Sequence, residues 1–382
     1  MRKLSHWIKQ PTPTALVLIG LVLALTKFLP PISLTHQVAF FLILPPILFQ
    51  GGMHLNLKNL KQDWKPVILL AVTGVVISAL IVGYPLAYFW HIPLNDALLF
   101  GALISPTDPV SVLAIMKKVK APERLRTILE AESLFNDGTG VVLFMVILTM
   151  IQNDQPLKLD NALSQFLLVT GGGALIGGFC GYLIIQFMRM TTGLFPLVAL
   201  SVALAFGAPL TAEALHCSGI IAVVVAGMMI SAGKLSHMSP EKKMGLDTFW
   251  KVLDFIVNIL IFLIIGLQLQ VIGINNLIEF KGKILTAIII VLISRAIVVY
   301  PTIWANNRIF RSSIPSGWDH VLFWGGLRGT IPIILMLQLP KFQYQPLFLS
   351  ATFGVVLFSI IIQALTIKGL LKSLNLPTRQ YR

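Results

Sequence analysis

The sequence is poor in charged residues and in cysteine. Only 12% of its 382 residues are charged, whereas 56% are hydrophobic. This composition excludes a soluble globular protein of the same length, because such a protein needs a far more polar surface. The two cysteines, Cys180 and Cys217, lie in separate apolar segments, which argues against a disulfide framework or a cysteine-based metal site. The chain is therefore predicted to be an integral membrane protein.

Acidic residues are also scarce, with 15 Asp and Glu against 29 Lys and Arg. A net charge of +14 would suit a nucleic-acid partner only in a basic, solvated domain, and the apolar runs leave no room for one. Lys and Arg collect in the cytoplasmic loops of membrane proteins, so the excess of positive charge indicates which loops of this chain face the cytoplasm. Most of these residues fall on one side when both termini are cytoplasmic. We therefore expect cytoplasmic termini and no nucleic-acid partner.

Apolar runs long enough to cross a bilayer recur along the whole chain. We predict 12 spans, at residues 13–29, 33–55, 66–90, 93–116, 126–151, 163–188, 194–212, 215–232, 248–271, 284–306, 320–340 and 346–370. The first span is expected to stay uncleaved, because no small-residue cleavage site follows it. The pattern predicts an all-α polytopic membrane protein, with one transmembrane domain over residues 1–382 and no soluble regulatory domain.

Two of the predicted spans are interrupted. Span 4 carries Pro106 and Pro109 around Asp108, and span 11 has a glycine-rich segment at residues 325–329. Proline removes a backbone donor and glycine loosens a helix, so both spans should break near the middle of the membrane. They are the fourth of the first five spans and the fourth of the last five, in halves of opposite orientation. Paired breaks of this kind are typical of inverted-repeat transporters, which bind their substrate at the breaks.

Three ionisable residues lie deep inside predicted spans, where a charge costs roughly 2.5–3.5 kcal/mol on insertion scales. At 1.5 Å per residue, Asp137 and Arg295 lie about 16 Å, and Asp108 about 12 Å, from the inner ends of their spans. Desolvation favours the neutral carboxyl and a nearby cation favours the carboxylate, so a proton and a cation compete for such a site. Exchange follows if the loaded site alternates between the two membrane faces.

Helical spacing divides the polar residues of span 5 between two neighbouring faces. Ser133 and Asp137 share one face, and Glu132 and Asn136 share the next. Asp137 is therefore predicted to carry the cation and the proton. Glu132 faces a neighbouring helix, where we expect it to pair with Arg295, because a guanidinium at this depth requires a partner.

A partly dehydrated Na⁺ or Li⁺ prefers oxygen ligands. The predicted ligands are Asp137, Ser133, Thr107 and Asp108, with backbone carbonyls freed by the break. Asp108 has two open interpretations, a direct ligand or a carboxylate that caps broken backbone. Gln50 is a candidate for the ion path or a structural amide, and Arg328 either compensates the charge of the site or pairs with a backbone terminus. Asp254 is expected close to the membrane boundary.

Five segments carry a resemblance to a known family: residues 44–49, 101–110, 132–138, 294–296 and 326–329. Together, in this order, they resemble the monovalent cation:proton antiporter family 1, which includes bacterial and animal sodium/proton exchangers. The resemblance implies a sodium/proton antiporter fold of 12 or 13 helices, built from inverted repeats with two interrupted crossing helices. It further implies a homodimer and a core that moves against a dimerisation domain.

The resemblance also implies roles for individual residues. Asp137 matches the essential carrier, whereas Ser133, Thr107 and the main chain around Asp108 match positions of the cation site. Asn136 matches a residue that organises the site, and Glu132 with Arg295 matches a supporting ion pair. Many relatives have a glutamate where this chain has Gln50, so no acidic contribution is expected from that helix.

The function implied is secondary active antiport of a monovalent cation for H⁺, with Na⁺ expected and Li⁺ or K⁺ as further substrates. No enzymatic activity and no cofactor are expected. Asn136 and Asp137, in place of two acids, resemble the electroneutral branch, which exchanges one cation for one proton. The compact chain suggests the inner (plasma) membrane of a bacterium.

Three alternatives compete with this interpretation. The first is a K⁺-selective cation/proton antiporter, which differs only in the ion. An intramembrane aspartyl protease needs two carboxylates that share a proton, and Asp137 follows Phe-Asn instead of the Gly-x-Gly expected there. A passive cation channel would favour rings of carbonyls or acids from several subunits, whereas single buried acids that must protonate fit exchange better.

Overall fold

The structure is a computed structural model that describes residues 12–27, 29–30, 37–153, 159–233, 239–309 and 314–374. Among these residues, eight helical segments, one of them interrupted, are long and apolar enough to cross a membrane. Four shorter apolar helices complete the series, at Pro13–Thr26, Val38–His54, Leu94–Ile104 and Gly219–Ala232. The chain is therefore an all-α multi-pass membrane protein. The predicted cytoplasmic termini, residues 1–11 and 375–382, lie outside the described residues.

The helices follow the order of the 12 predicted spans. They are span 1 (Thr12–Thr26), span 2 (Val38–Ile43 and Leu44–His54), span 3 (Leu57–Ile68, Leu69–Thr73 and Gly74–Trp90), span 4a (Leu94–Ile104), span 4b (Val110–Lys118), span 5 (Glu123–Gln152), span 6 (Leu159–Met190), span 7 (Leu194–Ala214), span 8 (Gly219–Ala232), span 9 (Pro240–Ile272), span 10 (Lys281–Ile309), span 11a (Trp318–Gly325), span 11b (Thr330–Leu337) and span 12 (Gln345–Phe358, Ser359–Gln363 and Ala364–Ser373). A short helix, Ile274–Glu279, joins spans 9 and 10.

Spans 4 and 11 are broken where the sequence predicts interruptions. Residues 105–109 separate 4a from 4b, and residues 326–329 separate 11a from 11b. Pro106 and Pro109 have no N–H group to continue the helical hydrogen bonds of span 4. The breaks leave four helix ends inside the membrane, and these ends require polar partners.

Several helices extend beyond their predicted apolar windows. Span 3 begins at Leu57, not at residue 66, and span 9 begins at Pro240, not at residue 248. The added turns contain several lysines, so hydropathy alone does not detect them. In span 3 the helix axis kinks at Asp63, whose backbone has φ −117° and ψ 22°. Its buried carboxylate accepts hydrogen bonds from Arg124 at 2.6 Å, which fixes the kink against the start of span 5.

The helices pack in two groups. Spans 1, 2, 6, 7, 8 and 9 form what we call the scaffold group, and spans 3, 4, 5, 10, 11 and 12 form the core group. The packing repeats between the two halves of the chain, in which span 1 corresponds to span 8 and span 2 to span 9. Span 1 packs against span 9, and the corresponding span 8 packs against span 2. Span 3 packs against span 10, its counterpart in the other half. Spans 1–5 and 8–12 thus form the two repeats.

Small residues allow the repeated contacts in the scaffold group. A Cβ added at Gly20 of span 1 would lie 2.9 Å from the Cα of Gly266 in span 9. In the related contact, a Cβ added at Gly52 of span 2 would lie 3.3 Å from the Cα of Gly227 in span 8. Close approach of backbones is a recurrent mode of helix packing in membranes. The same device occurs at corresponding contacts of both repeats.

Candidate functional site

The two broken spans cross at their breaks and hydrogen-bond to each other. The backbone N–H of Asp108 donates to the carbonyl of Leu327 at 2.7 Å. Arg328 donates through Nη1 to the carbonyls of Ser105 and Pro106, the latter at 3.2 Å. These carbonyls lie at the C-terminal end of 4a, where a helix has unpaired acceptors and a partial negative charge. Arg328 is 2% exposed and therefore pairs with a backbone terminus inside the core.

Asp108 lies at the N-terminal ends of two half-helices. Its Oδ1 accepts from the N–H of Val110 at 2.9 Å, at the start of 4b. Its Oδ2 lies 3.5 Å from the hydroxyl of Thr330, and the backbone N–H of Thr330 also donates to the carboxylate at the start of 11b. Helix N-termini carry partial positive charge, so both ends attract the carboxylate. A side chain at Gly329 would overlap Asp108, and glycine therefore permits this approach.

Thr107, Ser133 and Asn136 form a buried polar cluster between span 4 and span 5. The Asn136 amide donates to Thr107 Oγ1 at 2.7 Å, and its Oδ1 accepts from the Thr107 N–H at 3.1 Å. The hydroxyls of Thr107 and Ser133 are 2.9 Å apart. A hydroxyl has two lone pairs and one proton. When Thr107 accepts from Asn136 and donates to Ser133, one of its lone pairs stays free for a cation.

Asp137 lies one helical turn after Ser133, and its side chain is half-buried. Within the described part of the chain, no hydrogen bond or ion pair engages its carboxylate, although the charge of Asp108 acts on it. All the lone pairs of Asp137 are therefore open to a ligand. A carboxylate in this condition, one helical turn from the Ser133 hydroxyl, has the chemistry to bind either a small cation or a proton.

Glu132 and Arg295 form a buried ion pair that joins spans 5 and 10. Arg295 Nη1 donates to Oε1 of Glu132, and Nη2 donates to Oε2 at 3.0 Å. The same Nη2 donates to the carbonyl of Leu322 in 11a at 2.8 Å. Glu132 is fully buried and Arg295 is 5% exposed. The bidentate pair thus joins spans 5, 10 and 11a beside the polar cluster of Thr107, Ser133 and Asn136.

The structure brings nearly all the predicted site residues to one region of the core group. Gln50 is the exception, because it lies half-buried on span 2 in the scaffold group. Its backbone carbonyl bonds Nδ1 of His54 at 2.9 Å. Among the described contacts, none joins the Gln50 side chain to the other candidates, so its part in an ion path stays a prediction.

One participant at the crossing was not predicted from the sequence. Thr330 contacts Asp108 from the start of 11b, and its position directly after the glycine-rich break was the available signal. Asp254, which the sequence predicts close to the membrane boundary, lies in span 9 of the scaffold group and accepts a hydrogen bond from Asn258 at 2.8 Å. It lies about 21 Å along the helix from Pro240, at 1.5 Å per residue. The first turns of span 9 are polar, so this length does not measure depth in the membrane, and the position of Asp254 near the boundary stays a prediction.

Crossed broken helices inside inverted repeats define this chain as a secondary transporter, a class that binds its substrate at the breaks. A family model described as "Sodium/hydrogen exchanger, transmembrane" matches residues 1–373. The chain belongs to this sodium/hydrogen exchanger family, as the resemblance predicted.

Named relatives match along nearly the whole chain. The Na(+)/H(+) antiporter NhaH of Halobacillus aidingensis is 39% identical, over 98% of this chain and 94% of the relative. The Na(+)/H(+) antiporter ApNhaP of Aphanothece halophytica is 36% identical, over 98% of this chain and 72% of the relative.

A solved structure shares the fold. The sodium proton antiporter MjNhaP1 of Methanocaldococcus jannaschii, solved at pH 8, superposes with a TM-score of 0.78. The match covers 98% of this chain and 94% of that protein, at 21% sequence identity. The predicted sodium/proton antiporter fold is therefore confirmed.

Proposed function

We propose that this protein exchanges Na⁺ for H⁺ across the membrane, and that the two ions bind alternately to Asp137. The open carboxylate of Asp137 carries the proposal, because it has no partner in the described structure and lies one helical turn after Ser133, whose hydroxyl pairs with that of Thr107. The relatives named above are Na⁺/H⁺ antiporters, which supports Na⁺ as the cation.

In the proposed cycle, Na⁺ binds to the Asp137 carboxylate and to Oγ of Thr107 and Ser133. Asn136 keeps the Thr107 hydroxyl turned towards Ser133 and leaves a lone pair for the cation. Departure of Na⁺ exposes the Asp137 carboxylate, which then takes a proton, because burial and the nearby charge of Asp108 both disfavour a second carboxylate without a partner. The Asp108 carboxylate stays bound to the ends of 4b and 11b and shapes the site.

The exchange is proposed to be electroneutral, with one Na⁺ for each H⁺. Asn136 precedes the carrier where a second acid would add a second titratable group, and Asp108 is already engaged by two helix ends. One titrating carboxyl at the site moves one proton for each cation. Further proposals are cytoplasmic termini, a homodimer, and the inner membrane of a bacterium, which follow from the basic loops and the family resemblance.

Reconstitution in liposomes that contain a pH-sensitive dye tests the proposal. Addition of Na⁺, Li⁺, K⁺ or Ca²⁺ in turn should produce proton movement with Na⁺ and none with Ca²⁺. A response to K⁺ alone would instead favour the K⁺-selective antiporter. Asp137→Asn should abolish the response, because an amide neither titrates nor carries charge.

The matched control is Asp96→Asn, which removes a half-buried acid from the first turn of 4a. This variant should exchange like the unsubstituted protein. Persistent exchange in Asp137→Asn would refute Asp137 as the carrier, even if Na⁺/H⁺ exchange itself were present.

A further inference from the structure

We propose that a buried cavity between spans 10, 11 and 12 binds one monatomic anion of the halide class, such as chloride. The proposal goes beyond the exchange of cations and does not depend on which cation is transported. It concerns the sides of Arg295 and Arg328 that face away from their partners in spans 5 and 4a.

The cavity is small and lies at a junction of three helices. Its volume of about 10 Å³ is the room that one water-sized particle needs. Arg295 of span 10, Gly326 and Arg328 of the break in span 11, and Ser359 and Gln363 of span 12 line it together with apolar side chains. The two residues of span 12 are the ends of its π-helical turn, a kind of irregularity that is frequent at functional sites.

Both arginines have an unused N–H group at this cavity. Nη1 and Nη2 of Arg295 donate to Glu132, and Nη1 of Arg328 donates to carbonyls at the end of 4a. The Nε atoms of both side chains are buried and have no hydrogen-bond partner in the described part of the chain. Arg295 Nε faces Gly326, because a Cβ added at this glycine would lie 2.5 Å from it. A buried donor without an acceptor is costly, so the two Nε–H groups favour a ligand in the cavity.

The charges around the cavity favour a negative ligand. Glu132 compensates Arg295 in a bidentate ion pair, whereas no ion pair within 4 Å joins Arg328 to an acid among the described residues. Asp108, the acid of the crossing, bonds to the starts of 4b and 11b. None of the described residues that line the cavity is acidic. One positive charge therefore remains beside it, and a buried charge is stable when it is paired.

The hydrogen-bonding groups distinguish an anion from a water molecule. The Ser359 hydroxyl donates to Oε1 of Gln363 at 2.7 Å, which occupies this acceptor. Nε2 of Gln363 donates to the carbonyl of Trp324 at 3.4 Å and carries a second N–H. The polar side chains of the cavity thus offer more donors than acceptors. A water molecule needs acceptors for its own hydrogens, whereas a halide ion only accepts.

The first experiment locates the ligand in the unsubstituted full chain. Crystals soaked in sodium bromide, measured at the absorption edge of bromine, should show an anomalous peak between the Nε atoms of Arg295 and Arg328. Density for an ordered water at this place, without an anomalous peak, would overturn the proposal.

The second experiment measures the effect of the ligand on stability. The detergent-solubilised protein is exchanged into sodium gluconate, whose anion is too large for the cavity. Replacement of gluconate by chloride at constant Na⁺ and ionic strength should raise the Tm and reach a plateau, because a ligand that binds only the folded state stabilises it. Bromide should act in the same way. An identical Tm in gluconate and in chloride would contradict the proposal.

A carboxylate introduced beside the cavity should replace the anion. Gln363→Glu should raise the Tm in gluconate and abolish its increase with chloride, because the new charge pairs with the arginines. The matched control is Gln338→Glu, the same change at a half-buried position at the end of 11b, outside the cavity. This control should keep the increase with chloride.

An increase with chloride that persists unchanged in Gln363→Glu would show a general effect of salt and would overturn the proposal. If Gln363→Glu fails to fold, the bromide measurement on the unsubstituted protein decides. None of these measurements involves transport, so their failure is distinct from a failure of the proposed Na⁺/H⁺ exchange.

Discussion

At the scale of single residues, Asp108 and Asp137 differ in what surrounds their carboxylates. Asp108 accepts hydrogen bonds at the starts of two half-helices, whereas no described partner engages Asp137. The sequence places both acids at similar depth and leaves the role of Asp108 open, because spacing along one helix cannot reveal the end of another. The crossing with span 11 provides the missing partners. Asp108 therefore has the surroundings of a structural residue, and Asp137 those of an ion carrier.

The ion pair of Glu132 and Arg295 allows a prediction about stability. Glu132→Gln should destabilise the detergent-solubilised protein by about 3–5 kcal/mol, because it leaves a buried guanidinium without its counter-charge. Thermal unfolding should show a lowered Tm, while the KM for Na⁺ of the protein that remains folded changes little.

The double variant Glu132→Leu/Arg295→Met is the control for this interpretation. Removal of both charges should recover much of the lost Tm, because a buried pair replaced by apolar groups of similar size is often neutral in stability. A normal Tm in Glu132→Gln, or a double variant less stable than either single one, would contradict the account.

At the scale of helices, the breaks were predictable and the helix ends were not. Proline and glycine have direct backbone consequences, so the interruptions of spans 4 and 11 follow from residue types alone. The starts of spans 3 and 9 depend on polar turns that continue a helix outside the apolar region, where hydropathy gives no signal. The π-helical turns Val38–Ile43, Leu69–Thr73 and Ser359–Gln363 were also not predicted, because the apolar pattern does not distinguish them from α-helix.

The contact between spans 1 and 9 allows a prediction at this scale. Gly266→Ala should lower the Tm, because the added Cβ would lie 2.7 Å from the Cα of Gly20 and the backbones would have to separate. Gly207→Ala in span 7 is the matched control, since a Cβ at that position meets nothing within 4 Å. The control should leave the Tm unchanged or raise it slightly, because alanine favours a helix over glycine by up to about 1 kcal/mol. Equal Tm changes in the two variants would show that close packing at Gly266 does not stabilise the fold.

At the scale of the whole molecule, the arrangement of two repeats explains why the candidate site is assembled from distant parts of the chain. Spans 4, 5, 10 and 11 contribute to it, and each repeat brings one broken helix to the crossing. The sequence indicated most of these residues, because polar groups are conspicuous inside apolar spans. It did not indicate Thr330, which joins the site only because span 11 crosses span 4.

The proposed stoichiometry predicts how the whole transporter responds to voltage. An exchange of one Na⁺ for one H⁺ moves no net charge, so an imposed membrane potential should not alter its rate. Liposomes with a K⁺ gradient and valinomycin provide the potential, and the internal dye reports proton movement. Acceleration or slowing of Na⁺-driven proton movement by this potential would show that net charge crosses the membrane.

The central claim is that Na⁺ and H⁺ compete for the one carboxylate of Asp137. The most direct test is the KM for Na⁺ of the reconstituted protein measured over a range of pH. Competition for one carboxylate predicts that the KM rises as the pH falls, by about tenfold per pH unit in the acidic limit, while the maximal rate at saturating Na⁺ stays constant. A KM that does not change with pH, with a maximal rate that falls in acid, would contradict the claim.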